Sequence, residues 1–315
     1  MTNALSRRAF LAQAAAASVP ALCSAVEPTL RIMDTHVHFY DPTRPEGVPW
    51  PPRGSPIRRR TLPADYLAAL GKSDLVRGVI VVEASAWLED NQWVLDLAAH
   101  APLIAGVVGN LTPGETSFAD QVRRFAGNPL FRGIRVQGAM LAEQVDDAAF
   151  LAGLRTLAEA GLSLDVNGPA ATHPALARIA ARFPDLRIIL NHLGLPGDPA
   201  AGLPAPWREG MRALGAQRNV FCKISAVVEQ SKSEYGRAPT DVATYRAILD
   251  ALWESFGAER LLYGSNWPVC ERGAALPAVE ALAREYFTPK GAAVLARIFW
   301  ENSRTAYRWT REPRP

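Results

Sequence analysis

The run Arg31-Ile32-Met33-Asp34-Thr35-His36-Val37-His38 decides how the rest of the chain is read. It is a β-rich segment that closes on a His-x-His pair, and polar groups are costly in a strand buried on both faces unless something pairs with them. Side chains alternate along a strand, so Asp34, His36 and His38 are expected on one side. No Gly-rich phosphate turn follows, which argues against a dinucleotide-binding sheet.

Working outward, β-rich runs recur at 77–83, 103–109, 132–137, 162–167, 186–192, 220–225 and 261–266. Helical patterns fall between them at 64–71, 90–99, 116–126, 147–160, 174–182, 205–217 and 240–256. Eight strands, each followed by a helix, predict an α/β fold of one (β/α)8 TIM barrel rather than an open sheet. The 315 residues suffice for such a barrel, which typically takes roughly 250, and no linker divides them. With 49% hydrophobic and 21% charged residues the chain can build a sizeable core, which excludes a disordered or collagen-like protein. No apolar run reaches the ~20 residues that span a bilayer. A formal charge of +3 without a long basic tract gives nucleic-acid binding little support, so the expected partner is a small-molecule substrate. The oligomeric state is not legible.

The first 25 residues stand apart. Ser6-Arg7-Arg8-Ala9-Phe10-Leu11, an Ala-rich stretch and Cys23-Ser24-Ala25 resemble a twin-arginine export signal. Residues 1–25 are therefore expected to be a signal peptide and 26–315 the barrel domain, periplasmic or secreted, with no membrane integration after cleavage. Beyond the signal only Cys222 and Cys270 remain, read as free core thiols.

Polar residues gather where barrel enzymes keep their chemistry, at the C-terminal ends of the strands. Glu83 closes the second strand, Arg135 and Gln137 share a face of the fourth, and Asp165 and Asn167 share a face of the fifth. His192 closes the sixth, Lys223 and Ser225 lie on the seventh, and Asn266 closes the eighth. Each unpaired polar group buried there would cost roughly 1–3 kcal/mol, so the set reads as an enzyme pocket. His36 and His38 aim two imidazoles at one point, a pattern that suits one divalent metal, zinc or manganese, though the site could equally work without metal. His100 and His173 read as packing residues. Trp50, Trp87 and Trp267 fall in loops over the pocket mouth, and Trp93, Trp253, Trp300 and Trp309 in helical patterns of the core. Segment 39–63, with seven prolines, Trp50 and Arg58-Arg59-Arg60, is a long loop on the site's face; the arginines would suit a carboxylated substrate.

Met33-Asp34-Thr35-His36-Val37-His38-Phe39 resembles the first-strand signature of the amidohydrolase superfamily. Gly133-Ile134-Arg135, Asn191-His192-Leu193-Gly194 and Tyr263-Gly264-Ser265-Asn266-Trp267-Pro268-Val269 resemble its amidohydrolase-2 branch, as does the closing Asn302-Ser303 with Tyr307. That branch includes sugar lactonases such as L-fucono-1,5-lactonase, 2-pyrone-4,6-dicarboxylate lactonase and some decarboxylases. The resemblance implies a hydrolase that opens a lactone or related cyclic ester, the likeness spanning roughly residues 31–309. The family's strand eight normally ends in an aspartate that activates water; here the position is Asn266, whose amide cannot take a proton. Asn191 likewise replaces an acid, and no lysine stands on strand four to bridge two metals. The resemblance therefore implies at most one metal.

On this reading His36 and His38 hold the metal or donate to the carbonyl oxygen. Arg135 and Lys223, with Asp165, Asn167 and Trp267, bind substrate. His192 or Glu83 replaces the missing base, and Asn266 positions the water. A decarboxylase or lyase on the same fold, and a periplasmic binding protein that has lost hydrolysis, are the alternatives.

Overall fold

A computed structural model describes residues 30–312; the expected signal peptide at 1–25 lies outside the described residues. The eight strands form one parallel sheet in sequence order. They are β1 (Ile32–Val37), β2 (Val76–Val82), β3 (Ile104–Gly109), β4 (Phe131–Gln137), β5 (Ser163–Asn167), β6 (Arg187–Leu190), β7 (Val220–Ile224) and β8 (Leu261–Tyr263). The chain just beyond β8 returns to β1: Val37 bridges Trp267 in parallel, His38 N donates to Trp267 O at 2.9 Å, and Asn266 N donates to His36 O at 2.8 Å. These bonds close the sheet into the expected barrel.

Helices α1 (Pro63–Ala69), α2 (Asp90–His100), α3 (Phe118–Ala126), α4 (Gly138–Glu143), α5 (Ala148–Glu159), α6 (His173–Arg182), α7 (Ala205–Gly215), α8 (Val242–Phe256) and α9 (Leu276–Phe287) follow the strands in turn. Capping sets two of the starts. Asp147 accepts from Phe150 N ahead of α5 at 2.7 Å, and Asp241 accepts from Thr244 N ahead of α8 at 2.9 Å. The larger apolar core lies between barrel and helices. A smaller one, with Met33, Ile80, Val108, Ile189, Phe221 and Leu262, fills the lower lumen. Cys222 and Cys270 are both buried and unbonded.

After α9 the chain continues through α10 (Ala292–Ala296), a π-helical turn and α11 (Asn302–Tyr307), and packs under the barrel. Trp300, Ala306, Tyr307 and Trp309 join the lumen core there. Arg187 Nε donates to Ala306 O at 2.8 Å, and Asn302 Nδ2 to Leu261 O at 2.9 Å, so the lower ends of β6 and β8 hold this floor in place.

One expectation fails at β1. Its pairing with β2 runs Asp34 to Val79 and then Val37 to Val81, three steps of one strand against two of the other. This bulge inverts the alternation. Asp34 therefore turns away from His36, accepting from Tyr66 Oη of α1 at 2.8 Å and from Ser265 N at 2.8 Å. His36 and His38 remain on the lumen side. Gly264 makes room for them, since a Cβ there would lie 2.8 Å from His36 Cβ.

Candidate active site

The C-terminal mouth of the barrel holds a cavity of about 390 Å³ lined by His38, Trp50, Glu83, Arg135, His192 and Asn266, with Asn167 at its side. His36 lies beneath it, fully buried, its ring centroid 5.0 Å from that of His38 and 4.4 Å from that of His192. Three imidazoles thus converge from β1 and the end of β6, as the sequence led us to expect.

Burial is the main reason all three are neutral. It pushes His36 and His192 well below the ordinary imidazole range, with Lys223 and Arg135 adding to the effect, and burial and Arg135 bring His38 down to about 3. Each ring is tied at Nδ1. His38 Nδ1 meets Val82 O at 2.9 Å. A carbonyl can only accept, so Nδ1 carries the proton and the Nε2 lone pair is free. His192 Nδ1 lies 3.0 Å from Ser225 Oγ, which also accepts the His192 N–H at 3.2 Å. His36 Nδ1 lies 3.2 Å from Lys223 Nζ.

Lys223 and Asp165 meet below the cavity rather than in it. Lys223 Nζ is 2.7 Å from Asp165 Oδ2, both side chains are 0% exposed, and Tyr307 Oη from the floor donates to the same oxygen at 2.9 Å. Neither reaches the cavity wall. They form a buried line from the C-terminal helix up to His36. Burial lowers the Lys223 pKa and Asp165 opposes that fall.

Glu83 is also committed: Arg135 Nε and Nη2 both reach its Oε1, at 2.8 and 2.7 Å, and Nη2 reaches its carbonyl at 3.1 Å. Asn167 lines the cavity beside Gln137, 3.4 Å from its amide. Trp267 is 1% exposed and packs against Phe39 and Tyr66, with Nε1 donating to Glu271 at 2.8 Å; it braces the wall without lining the cavity. Trp50 takes the place over the site, 5.6 Å from His38 ring to ring, while Trp87 is 42% exposed. His173 is buried against Gly210 and Gly194, as a packing residue should be.

The long loop is tied to itself and to the barrel. Tyr40 and Thr61 exchange backbone bonds of 3.0 and 2.9 Å at its neck, and Tyr40 Oη donates to Ile57 O at 2.6 Å. Arg58 turns inward to the carbonyls of Pro51 and Val48, and Arg59 pairs with Glu271 at 2.6 Å. These two arginines build the loop instead of facing a substrate.

Non-glycine residues with left-handed backbones at the strand ends include His192 (φ 57), Ala226 (φ 53) and Asn266 (φ 62). Such conformations cost of order 1–3 kcal/mol each and are kept where the surroundings impose them. Asn266 Nδ2 donates to Glu229 Oε1 at 2.8 Å, and Asn266 Oδ1 has no protein partner. Glu229, on the turn Val228–Gln230, was absent from the expected site. The signal that could have found it is an acid directly after Val227-Val228 at the end of a barrel strand.

The metal-binding expectation meets a mixed donor set. His38 Nε2 offers a lone pair. Lys223, donating to His36 Nδ1, leaves the ring proton on His36 Nε2. Among the described residues no group of three or more His, Cys, Asp or Glu side chains is placed to hold a metal ion. Asn266 offers no carboxylate, and Lys223 and Arg135 add positive charge. This arrangement is incomplete as a metal centre.

A barrel with three imidazoles, an arginine and an amide gathered at a strand-end cavity has the layout of a barrel enzyme. The amidohydrolase family profile matches residues 33–309, and the chain belongs to that family. It is 31% identical over 290 residues to an L-fucono-1,5-lactonase of Burkholderia ambifaria, covering 89% of this chain and 96% of the relative. A solved amidohydrolase from Burkholderia multivorans with bound HEPES superposes with a TM-score of 0.80 at 28% identity, covering 89% of this chain and all of that one. A second crystal form of that amidohydrolase, with bound zinc, gives 0.79 at 29% identity over the same shares. The protein is an amidohydrolase-type hydrolase.

Proposed function

We propose that this protein opens a lactone, a sugar-derived one, by water attack in the cavity at the mouth of the barrel. The observation that carries the reading is the convergence of three buried imidazoles and Arg135 at the strand-end cavity. With Ser225 Oγ accepting the His192 N–H and donating its own proton to Nδ1, the tautomer this mechanism uses, His192 carries its ring proton on Nε2. His192 and Arg135, which line the cavity, then present an N–H and a guanidinium to the carbonyl oxygen where charge develops, and His36 lies behind them. His38 Nε2 faces the cavity as the acceptor, a role the sequence reading gave to His192 or Glu83. The name of the Burkholderia ambifaria relative supports the lactone reading.

Water held by His38 Nε2 attacks the carbonyl carbon and gives its proton to His38, and the buried Asn266 Oδ1 favours the imidazolium that forms. Burial and the positive field of Arg135 keep His38 a weak base, and the oxyanion forming against the donors offsets that field. The tetrahedral species collapses, the ring C–O bond breaks, and the departing alkoxide takes the proton from His38. The hydroxy acid leaves as a carboxylate and one proton is released. A divalent metal bound here would polarise the same carbonyl; the steps above need none. Export through the twin-arginine pathway to the periplasm is proposed from Arg7-Arg8 and the Ala-rich stretch, tested by cell fractionation with and without Arg7→Lys/Arg8→Lys.

The test is proton release from a panel of sugar lactones and pyrone carboxylates. Turnover of at least one lactone is expected. Carbon dioxide release from a carboxylated ring, or thermal stabilisation by lactones without turnover, would overturn the reading in favour of a lyase or a binding protein.

A further inference from the structure

We propose that Glu229 is a positioning residue, whose carboxylate fixes the Asn266 amide so that its carbonyl oxygen is turned to His38, the ring that takes the proton from water. The inference rests on the lactonase reading above and adds a residue from a different strand end to it.

Asn266 is an amide at the end of β8 in a left-handed backbone, and it lines the cavity beside His38. An amide has two ends of opposite character, and either could be turned to His38. Above about pH 7 the Glu229 carboxylate is ionised and accepts only, so its Oε1 at 2.8 Å selects Nδ2 and leaves Oδ1 for the His38 side. Oδ1 is buried there, and it favours the protonated ring once His38 has taken the proton from water. Turned the other way, the amide would present a donor and disfavour the imidazolium.

The carboxylate holds its place at a cost that packing alone does not explain. Its Oε2 is buried and has no partner, and among the described residues no cation forms an ion pair with it, Arg272 being the nearby charge. Burial pushes the group up to about 7. A glutamine or methionine would fill the same volume without stranding an oxygen. An unbalanced acid touching one site residue is the pattern of a functional constraint.

The experiment measures kcat and KM for the lactone found above in Glu229→Met, Glu229→Gln and Asn266→Ala, with thermal midpoints alongside. A lost hydrogen bond to a charged group predicts that Glu229→Met lowers kcat about tenfold or more while KM moves less than about threefold. Glu229→Gln keeps an acceptor oxygen and restores most of kcat. In the Asn266→Ala background Glu229→Met has no further effect. Asn266→Asp sets two carboxylates side by side and loses activity, and Glu229→Gln in the same chain recovers it by exchanging amide and acid. Unchanged kcat in Glu229→Met, no recovery in Glu229→Gln, or an equal loss with Asn266 already removed overturns the assignment. Inactivity of the unmutated protein on every lactone overturns instead the reading on which it rests.

Discussion

Replacing Lys223 by methionine isolates the buried pair beneath the site. The substitution preserves a long flexible side chain in a position that is 0% exposed and removes the cation 2.7 Å from Asp165. Asp165 Oδ2 keeps only the Tyr307 hydroxyl at 2.9 Å, and Oδ1 has no partner already. Removing one member of a buried pair costs about 3–5 kcal/mol, because the remaining charge is stranded. That is a large share of the ~5–15 kcal/mol that typically holds a domain together. At roughly 2–4 °C per kcal/mol for a large domain, the midpoint should fall by about 10 °C. Lys223→Met/Asp165→Leu removes both charges and should recover most of the loss. Urea and thermal unfolding followed by circular dichroism read both values. Activity should separate from stability: the double variant folds, yet His36 Nδ1 has lost its donor, so kcat stays low. A cost below about 1 kcal/mol for Lys223→Met, or a double variant as unstable as the single, refutes the argument.

Three further outcomes follow from the same geometry. Burial raises the Glu229 carboxyl from 4.5 to about 7, so its penalty is absent below the lower value, builds up as pH rises between them, and is complete above. Glu229→Gln should therefore be more stable than the parent at pH 8, by up to ~3 kcal/mol, and equal to it near pH 4; identical urea midpoints at pH 8 would remove the burial argument. His192→Ala deletes one donor to the developing oxyanion and should lower kcat by about 10²–10³ with KM little changed, whereas a pure rise in KM would mean it only binds substrate. With no complete set of three ligands, turnover should survive dialysis against a chelator; activity lost there and restored by zinc would show that the imidazoles reorganise around an ion.

The barrel was legible because parallel strands buried on both faces leave apolar β-rich runs, and all eight were found within a few residues of their ends. The misjudged ends have a common cause. The sixth run was carried to 192 and the eighth to 266, whereas β6 stops at Leu190 and β8 at Tyr263. His192 and Asn266 lie beyond them in left-handed conformations that no pattern of residue types announces. Asp34 was misplaced for a related reason, since a bulge changes the phase of a strand without changing its composition. Helix α4 begins at Gly138 directly after β4, with no connecting loop to mark it. In the site, residues that touch the cavity were recognised by polarity at strand ends. Glu229 was not, because it acts on a neighbour from a turn, and Trp267 was assigned to the substrate although its ring packs behind the wall.

The neck of the 39–63 loop gives the protein a modular seam. Tyr40 and Thr61 join the two ends of the excursion by their own backbones, so its neck is closed independently of the Arg59–Glu271 pair that also ties it to the barrel. From that insert Pro49 and Trp50 enter the cavity wall, while the imidazoles, Arg135 and Asn266 all come from the barrel itself. One part of the cavity wall and the groups placed for water attack are thus carried on separate pieces of chain. A lineage could exchange the insert and acquire a new lactone without rebuilding the machinery that opens it, and a loop graft between Tyr40 and Thr61 is the laboratory form of the same step.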